Sequence, residues 1–352
     1  MAKSSTRPER QPGWARQSGG GNGEPAERAP AAVMPWQRPA GVSPAALPGV
    51  VVRAFGKFFA VQLRDEPRQL LCTVKGSLKR QRLRTDLVAV GDRVWVLDVG
   101  EGEGLIEGVE PRIRVLARPT RHAEEVEQVI LANPDQALFL FAVREPEPHR
   151  RMLDRFLILA EAAGLPAMIG VNKIDLDQPG EDGRPLSRVI FGDYEAIYPV
   201  FYMSARTGEG IPQLWEALKG KVTVVAGPSG VGKSSLLNAL DPSGQRKVGE
   251  ISPATGKGRH TTTGTQLYRI GPDTYVADTP GIRSLAMRGV PPEQLDRCFP
   301  EFRPYLGACF YPDCTHLHEP GCVVKEAVEA GAISRERYES YAALRRGDPG
   351  ED

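Results

Sequence analysis

The run with the clearest chemical meaning is Gly227-Pro-Ser-Gly-Val-Gly-Lys-Ser234, which matches the pattern G-x-x-x-x-G-K-[ST] of a phosphate-binding loop. An apolar run over 222–226 precedes it and a helical pattern over 235–240 follows it, which is the context that the motif requires. Lys233 would bring positive charge to the β and γ phosphates, and the Ser234 hydroxyl would bind Mg²⁺. The alternative is a glycine turn with a structural role only. The predicted phosphate-binding residues are Gly227, Pro228, Ser229, Gly230, Val231, Gly232, Lys233, Ser234 and Ser235.

A second motif indicates which base the nucleotide carries. The residues that follow the apolar run 166–171 match N-K-x-D, and they are Asn172, Lys173, Ile174 and Asp175. The Asp175 carboxylate can accept hydrogen bonds from guanine N1–H and N2–H₂. Adenine lacks this donor pair, so it would leave the carboxylate unpaired at a cost of roughly 1–3 kcal/mol per unmet bond. Ser204 and Ala205 follow the run 198–203, where a backbone N–H can reach guanine O6, and the joint spacing predicts guanine binding.

A third motif, Asp278-Thr-Pro-Gly281, fits D-x-x-G after an apolar run over 274–277. Asp278 would orient Mg²⁺ through water, and the Gly281 N–H would sense the γ phosphate. A threonine-rich run over 256–263 lies before it, and we expect Thr262 in that run to close on Mg²⁺ and the γ phosphate. The predicted magnesium-binding residues are therefore Ser234, Thr262 and Asp278.

The group that would position the attacking water is harder to find. Residue 282 is isoleucine rather than the glutamine that commonly orients this water, so we expect slow intrinsic hydrolysis. His260 could orient the water instead, acting with Lys233 and Thr262 as the catalytic residues. The alternative for His260 is a solvated loop histidine.

The motifs stand in an unusual order, with the guanine-reading residues first, the phosphate loop next and D-x-x-G last. An ordinary GTPase begins with the phosphate loop. We therefore predict a circular permutation, in which an amphipathic helix over 211–219 joins the old C-terminus to the old N-terminus. Because the chain after Asp278 then runs directly into the C-terminal region, loss of the γ phosphate is expected to reposition that region against the N-terminal barrel described below.

A candidate metal site lies near the C-terminus, where three cysteines and one histidine follow the spacing C-x₄-C-x-H-x₅-C: Cys309, Cys314, His316 and Cys322. Three thiolates and one imidazole form a closed tetrahedral set of the kind that binds structural Zn²⁺. We expect one structural zinc per chain, with Cys298 and His318 as spare candidates. The alternative is a group of reduced cysteines in a small apolar lobe.

The elements that must position these residues begin with a small barrel over residues 48–119. Five strand-like runs alternate with turns there, over 50–53, 57–61, 70–74, 92–96 and 104–109. The loop 75–84 holds five cations and no acid, which suits contact with RNA phosphates. The predicted RNA-binding residues are Lys75, Lys79, Arg80, Arg82 and Arg84.

The rest of the chain divides into three further regions. Residues 1–47 are rich in Gly, Pro, Ala and Arg, and we expect a disordered tail. Buried strand patterns alternate with amphipathic helices over 120–284, as in an α/β fold with parallel strands. Residues 285–352 would form the metal-binding, mainly helical C-terminal domain, with a helical stretch over 323–346.

Composition limits where and with what the chain works. The net charge is +1, from 45 basic and 44 acidic residues, so affinity for nucleic acid must come from local patches. The sequence has neither an apolar run of the roughly 20 residues that cross a bilayer nor the apolar core of a signal peptide. We therefore expect a cytoplasmic protein that does not contact membranes, with a monomer as the default.

Together these motifs closely resemble those of the ribosome small-subunit-dependent GTPase A family, over about residues 48–340. The resemblance implies a circularly permuted GTPase domain between an N-terminal oligonucleotide-binding (OB-fold) barrel and a C-terminal zinc domain. It also implies a late-acting factor that binds the small ribosomal subunit and its rRNA in the GTP state, and is released when the subunit stimulates hydrolysis of GTP to GDP. The matching run Gly258-Arg-His-Thr-Thr-Thr263 favours His260 as the hydrolytic histidine.

Two other functions remain open at this point. A GTPase of tRNA handling or membrane traffic would be stimulated by something other than ribosomal subunits. A non-enzymatic RNA-binding module would hold nucleotide only as a structural ligand and would show no turnover.

Overall fold

The computed structural model describes residues 35–78, 86–119, 127–241, 265–278 and 290–348. Within these ranges the chain forms a barrel, a six-stranded sheet flanked by helices, and a C-terminal lobe, so the predicted fold class is confirmed. None of the helices in the described ranges has both the length and the apolar character that crossing a bilayer requires.

Five strands close the barrel in the order β1-β2-β3-β5-β4: β1 (Leu47–Phe55), β2 (Phe58–Leu63), β3 (Gln69–Val74), β4 (Arg93–Gly100) and β5 (Glu103–Val109). Alternate residues of β3 point inward, so that Leu70, Cys72 and Val74 are buried while their neighbours are exposed. Burial raises the pKa of the Cys72 thiol to about 12, which suits its packing as a small apolar residue. The predicted barrel is confirmed.

Residues 35–46, which we assigned to the disordered tail, pack on the barrel instead. Trp36 meets Trp95 edge to face with 6.4 Å between ring centroids. The Arg38 guanidinium lies 4.5 Å from the centre of the Trp95 ring. The backbone N–H of Gln37 also donates to a Glu110 carboxylate oxygen at 2.8 Å. These contacts join single aromatic and charged residues, so they leave no periodic pattern in the sequence.

A two-stranded antiparallel ribbon follows the barrel and was not predicted. Its strands are β6 (Val115–Pro119) and β7 (Glu127–Ala132). The ribbon lies across our predicted boundary between residues 119 and 120. It therefore links the barrel to the sheet.

The central sheet has the strand order β10-β9-β8-β11-β13-β12. Its strands are β8 (Gln136–Ala142), β9 (Ala167–Asn172), β10 (Val200–Tyr202), β11 (Val222–Ala226), β12 (Gln266–Gly271) and β13 (Thr274–Asp278). All neighbours are parallel except β12 and β13. Every residue of β8 and of β9 is buried, which explains why these strands were visible as continuous apolar runs.

Helices cover both faces of this sheet: α1 (Arg150–Ala162), α2 (Leu186–Phe191), α3 (Ile211–Leu218) and α4 (Lys233–Leu240). Successive residues of β8 enter two different cores. Phe139 and Phe141 pack in one, while Leu138 and Leu140 pack in the other. Helix α3 occupies the position predicted for the segment that joins the two permuted halves.

Over residues 290–348, the described part of the C-terminal lobe, there are three 3-10 helices (Pro292–Gln294, Asp296–Cys298 and Pro300–Tyr305) and the helices α5 (Val323–Glu329) and α6 (Arg335–Arg345). We predicted one helical stretch over 323–346, and the structure divides it. Gly331 takes a left-handed φ of 74° after α5. The Ser334 side chain then caps α6 by accepting a hydrogen bond from the Arg337 N–H.

Candidate functional site

The predicted nucleotide motifs meet at one edge of the sheet. Strand β9 ends at Asn172, β11 ends at Ala226 and β13 ends at Asp278. The ends of β11 and β13 are level, since Asp278 lies opposite Val225. Strand β9 ends three residues further on, since Asn172 lies opposite Ala142 while Ala226 lies opposite Phe139. Parallel sheets bind ligands outside the carboxyl ends of their strands. The arrangement therefore places the guanine motif, the phosphate loop and the D-x-x-G aspartate at the same edge of the sheet.

The Asn172 side chain connects three of the predicted motifs. Its Nδ2 donates to the Val231 carbonyl oxygen in the phosphate loop at 2.8 Å. Its Oδ1 accepts from the Ala205 N–H at 3.0 Å. Asn172 is only 2% exposed, so both hydrogen bonds are shielded from water. One buried amide thus holds the predicted base-binding and phosphate-binding loops together.

The Asp175 carboxylate is held by residues of the second predicted guanine motif and its neighbour. Its Oδ1 accepts a hydrogen bond from the Ser204 hydroxyl at 2.6 Å. Its Oδ2 lies 3.6 Å from Nη1 of Arg206, a residue outside the predicted motifs. Lys173 adopts a left-handed φ of 63°, and its ammonium donates to the Glu145 carbonyl. Ile174 donates its N–H to the Met203 carbonyl at 3.2 Å, which joins the two guanine loops.

Two glycines of the phosphate loop have no room for a side chain. A Cβ on Gly227 would lie 2.0 Å from the Leu140 carbonyl oxygen. A Cβ on Gly232, where φ is 93°, would lie 2.5 Å from Nδ2 of Asn172. The loop is therefore specific to glycine at both positions, because any larger residue would push it away from β8 or from the Asn172 amide.

Lys233 lies inside the phosphate loop. Its ammonium donates to the carbonyl oxygens of Gly227 at 3.0 Å and Pro228 at 2.6 Å. Ser234 and Ser235 are exposed in the first turn of α4. The site thus presents a cation, two hydroxyls and a helix N-terminus together, which suits an anionic ligand.

The remaining predicted nucleotide residues, His260, Thr262 and Gly281, lie outside the described residues. Of the five predicted RNA-binding residues, Lys79, Arg80, Arg82 and Arg84 also lie outside them. Lys75 is described, and its ammonium pairs with the Glu107 carboxylate of the barrel at 2.7 Å. This bond lowers the pKa of Glu107, so part of the Lys75 charge is used within the barrel.

The four predicted metal ligands form a compact cluster in the lobe. The ligand atoms of Cys309, Cys314, His316 and Cys322 all lie within 4.8 Å of one another. Nδ1 of His316 is 3.6 Å from the Cys309 sulfur and 3.4 Å from the Cys322 sulfur, and these two sulfurs are 4.0 Å apart. A tetrahedral ion with Zn–S bonds of about 2.3 Å would separate two sulfurs by about 3.8 Å. The donor set therefore fits zinc in type and spacing.

Residues around the cluster fix its loop. The Glu319 carboxylate accepts hydrogen bonds from the N–H groups of Thr315 at 2.9 Å and Leu317 at 3.1 Å, and from the Thr315 hydroxyl. Although burial opposes the charge, these bonds hold the pKa of Glu319 well below its usual range. The Tyr338 hydroxyl donates to the His316 carbonyl at 2.8 Å. These supports could not be predicted from sequence patterns, because each is a single polar residue outside the ligand pattern.

Two thiols of the cluster, those of Cys314 and Cys322, would release protons on binding a cation. Burial raises the pKa of Cys314 to about 12 and also raises the pKa of Cys322. Without a cation these thiols stay protonated at neutral pH. A divalent cation at the centre would favour the thiolates, so binding should be coupled to proton release.

Comparison with known proteins identifies the family. The sequence model of the RsgA GTPase family matches residues 109–288. A small ribosomal subunit biogenesis GTPase RsgA from Gemmatimonas aurantiaca is 43% identical over 300 residues, covering 84% of this chain and 96% of the relative. A protein of the same name from Thermotoga neapolitana is 39% identical over 298 residues, covering 84% of this chain and 95% of the relative.

Solved structures agree with this assignment. YjeQ from Thermotoga maritima matches with a TM-score of 0.69 and 36% identity, covering 87% of this chain and 100% of that one. YloQ, described as a circularly permuted GTPase, matches with a TM-score of 0.67 and 29% identity, covering 86% of this chain and 95% of that one. Both matches span the barrel, the sheet and the lobe, and they confirm the permutation predicted from motif order. The chain therefore belongs to the RsgA GTPase family, whose members hydrolyse GTP.

Proposed function

We propose that this GTPase acts in late biogenesis of the small ribosomal subunit. In this proposal it binds the subunit and its rRNA in the GTP state, and it leaves when the subunit stimulates hydrolysis. Support comes from the relatives, whose names place them in small-subunit biogenesis and which this chain matches over almost their whole length. We further propose that it works in the cytoplasm as a monomer.

The observation that carries the nucleotide part of the proposal is the pair of hydrogen bonds that the Asn172 side chain makes with Val231 and Ala205. It sets the guanine-reading loop at a fixed position beside the phosphate loop. Asp175 would then accept from guanine N1–H and N2–H₂, and the Ala205 region would face guanine O6. The backbone of 227–234 would surround the phosphates, with Lys233 placed against the β and γ phosphates.

Hydrolysis would use residues on both sides of the γ phosphate. We propose that Ser234, Thr262 and Asp278 hold Mg²⁺, which neutralises charge on the phosphates when bound with GTP. Asp278 lies at the end of β13, beside β11 and the phosphate loop, which supports its part of this assignment. Lys233 would stabilise the charge that develops in the transition state, and His260 would orient the attacking water.

In the lobe, we propose that Cys309, Cys314, His316 and Cys322 hold one Zn²⁺ per chain. All four coordination positions would be filled by protein atoms, so the ion would stabilise the fold rather than take part in hydrolysis. The lobe and the barrel would contact rRNA on either side of the nucleotide domain. The net charge of +1 means that these contacts depend on local cations such as those of the loop 75–84.

The decisive experiment measures GTP turnover by the full chain alone, with purified small subunits, and with large subunits. We expect a rate increase with small subunits only. Lys233→Ala should remove both basal and stimulated turnover, because the β and γ phosphates lose their cation. Stimulation by large subunits or by neither would contradict the ribosomal part, and full activity of Lys233→Ala would contradict the phosphate site.

A further inference from the structure

Strands β12 and β13 form a hairpin that runs from the nucleotide edge of the sheet to its opposite edge. At its open end Gln266 pairs with Asp278, the predicted magnesium-orienting residue. At its closed end Gly271 pairs with Thr274 across a tight turn. Because β13 also pairs with β11 along its length, the hairpin is one continuous element between the phosphate loop and the far side of the sheet.

The closed end of this hairpin holds the barrel. The Arg269 guanidinium donates to three carbonyl oxygens in the turn between β2 and β3: Leu63 at 3.4 Å, Arg64 at 3.1 Å and Glu66 at 3.1 Å. Its Nε donates to the Gly271 carbonyl at 3.3 Å, which fixes the side chain to its own turn. The partners are more than 200 residues apart in the chain, as Arg269 and Glu66 are separated by 203. Only a planar guanidinium group, with its several N–H donors, can hydrogen-bond to all of these carbonyl oxygens at once.

The zinc lobe is held differently and on another part of the nucleotide domain. Arg337 of α6 is fully buried and pairs with Asp154 of α1 and with Glu301 of the lobe, at 2.7 Å from the latter. Ile158 of α1 lies in the same apolar core as Phe299 and Phe302 of the lobe. The lobe is therefore packed on α1, which precedes the guanine motif, and its described anchors do not include the β12–β13 hairpin.

We propose that the β12–β13 hairpin couples the nucleotide site to the barrel, and that Arg269 is the positioning residue of this coupling. A change around Asp278 on loss of the γ phosphate moves the hairpin, and the barrel follows through Arg269. The lobe keeps its place on α1. This refines our expectation that the lobe is the element that moves. It rests on the proposed function in two places, which are the role of Asp278 beside the γ phosphate and the binding of rRNA by the barrel.

The first test measures distances in the isolated protein, so it does not depend on ribosomes. Paired spin labels on bioorthogonal amino acids would replace the exposed residues Val99 of the barrel and Glu329 of the lobe. We expect the distance between them to differ between GDP and a non-hydrolysable GTP analogue. A second pair, Glu216 of α3 with Glu329, should stay constant. Equal Val99–Glu329 distances in both states, or a change confined to the second pair, would overturn the proposal.

The second test removes the hydrogen bonds between Arg269 and the barrel. Arg269→Lys keeps the positive charge but lacks the planar guanidinium group with its several donors. We expect this variant to abolish the nucleotide-dependent distance change while basal turnover stays unchanged. Subunit-stimulated turnover should fall about 5-fold or more, within the usual range of coupling between sites. The matched control is Asp273→Asn, which removes the exposed Arg64–Asp273 pair at the same turn and should behave as wild type. A wild-type distance change in Arg269→Lys would overturn the proposal even if subunits failed to stimulate any variant.

Discussion

The nucleotide edge of the sheet, where β9, β11 and β13 end, and the C-terminal lobe with its metal cluster bring their residues together in different ways. The nucleotide edge joins residues from distant parts of the chain, and neutral hydrogen bonds such as those of Asn172 hold its loops. The four metal ligands of the lobe lie within one short segment, and the lobe depends on buried charges and on a set of thiols that suits a cation. The difference teaches that the sheet gathers the residues of the first predicted site from distant parts of the chain, whereas one short segment gathers the second, which the proposed ion would complete.

The largest effect should follow from breaking the metal cluster. Cys314→Ser removes one of four ligands, and structural zinc contributes about 10–16 kcal/mol of binding free energy in small peptides at neutral pH. We expect zinc content to fall from one per chain to near zero and the lobe to melt separately. Elemental analysis and thermal unfolding measure both. Cys298→Ala, in the same lobe but outside the cluster, should keep the metal, and unchanged zinc in Cys314→Ser would contradict the ligand assignment.

A smaller loss should follow from removing the buried charge that docks the lobe. Arg337→Met leaves the carboxylates of Asp154 and Glu301 without their partner, which costs about 3–5 kcal/mol for buried pairs. Chemical denaturation should show this loss. Arg151→Met removes the exposed pair with Asp348 at the same interface and should cost about 1 kcal/mol or less. Equal losses in the two variants would show that burial does not strengthen this contact.

The nucleotide edge should respond to loss of its central amide. Asn172→Ala removes two buried hydrogen bonds and leaves the Val231 carbonyl and the Ala205 N–H unpaired, at about 1–3 kcal/mol for each buried group. We expect weaker affinity for GDP and GTP alike, measured by titration calorimetry. Asn238→Ala, on the exposed face of α4, serves as the control. Unchanged affinity in Asn172→Ala would show that the two loops are held by other contacts.

The smallest and most selective effect should appear at Asp175. Asp175→Asn exchanges one acceptor for a donor, so guanine loses a hydrogen bond and xanthine gains one. The affinity ratio of GTP to xanthosine triphosphate should fall by about 5- to 150-fold, as expected for about 1–3 kcal/mol. Competition binding measures this ratio, while zinc content and thermal unfolding of the lobe should not change. A constant ratio would remove Asp175 from base recognition.

Sequence patterns predicted the parts of the fold that repeat or are buried throughout. Strands β8, β9 and β11 were visible because each consists mainly of buried apolar residues. The packing of 35–46 was missed because it depends on single contacts such as Trp36 with Trp95. The break between α5 and α6 was missed because apolar spacing continues across Gly331, although glycine and Ser334 were the local signals for it.

In the candidate sites too, local sequence patterns were predicted and single long-range contacts were missed. Motif spacing predicted which residues would gather at the sheet edge and in the metal cluster, since spacing reports on local chemistry. It could not predict Arg206 beside Asp175, Glu319 beneath the cluster loop or Arg269 at the barrel, because each partner is set by tertiary packing. Long-range polar partners of this kind are visible only in three dimensions.

The crossed attachment of the two flanking domains has a consequence for biosynthesis. The N-terminal barrel is clamped by Arg269, near the end of the nucleotide domain, while the C-terminal lobe packs on α1, near its beginning. During synthesis, therefore, the barrel emerges from the ribosome long before Arg269 has been added to the chain. Strand β8 likewise emerges well before β11, its neighbour in the middle of the sheet. The native arrangement can be completed only when nearly the whole polypeptide has left the ribosome that makes it.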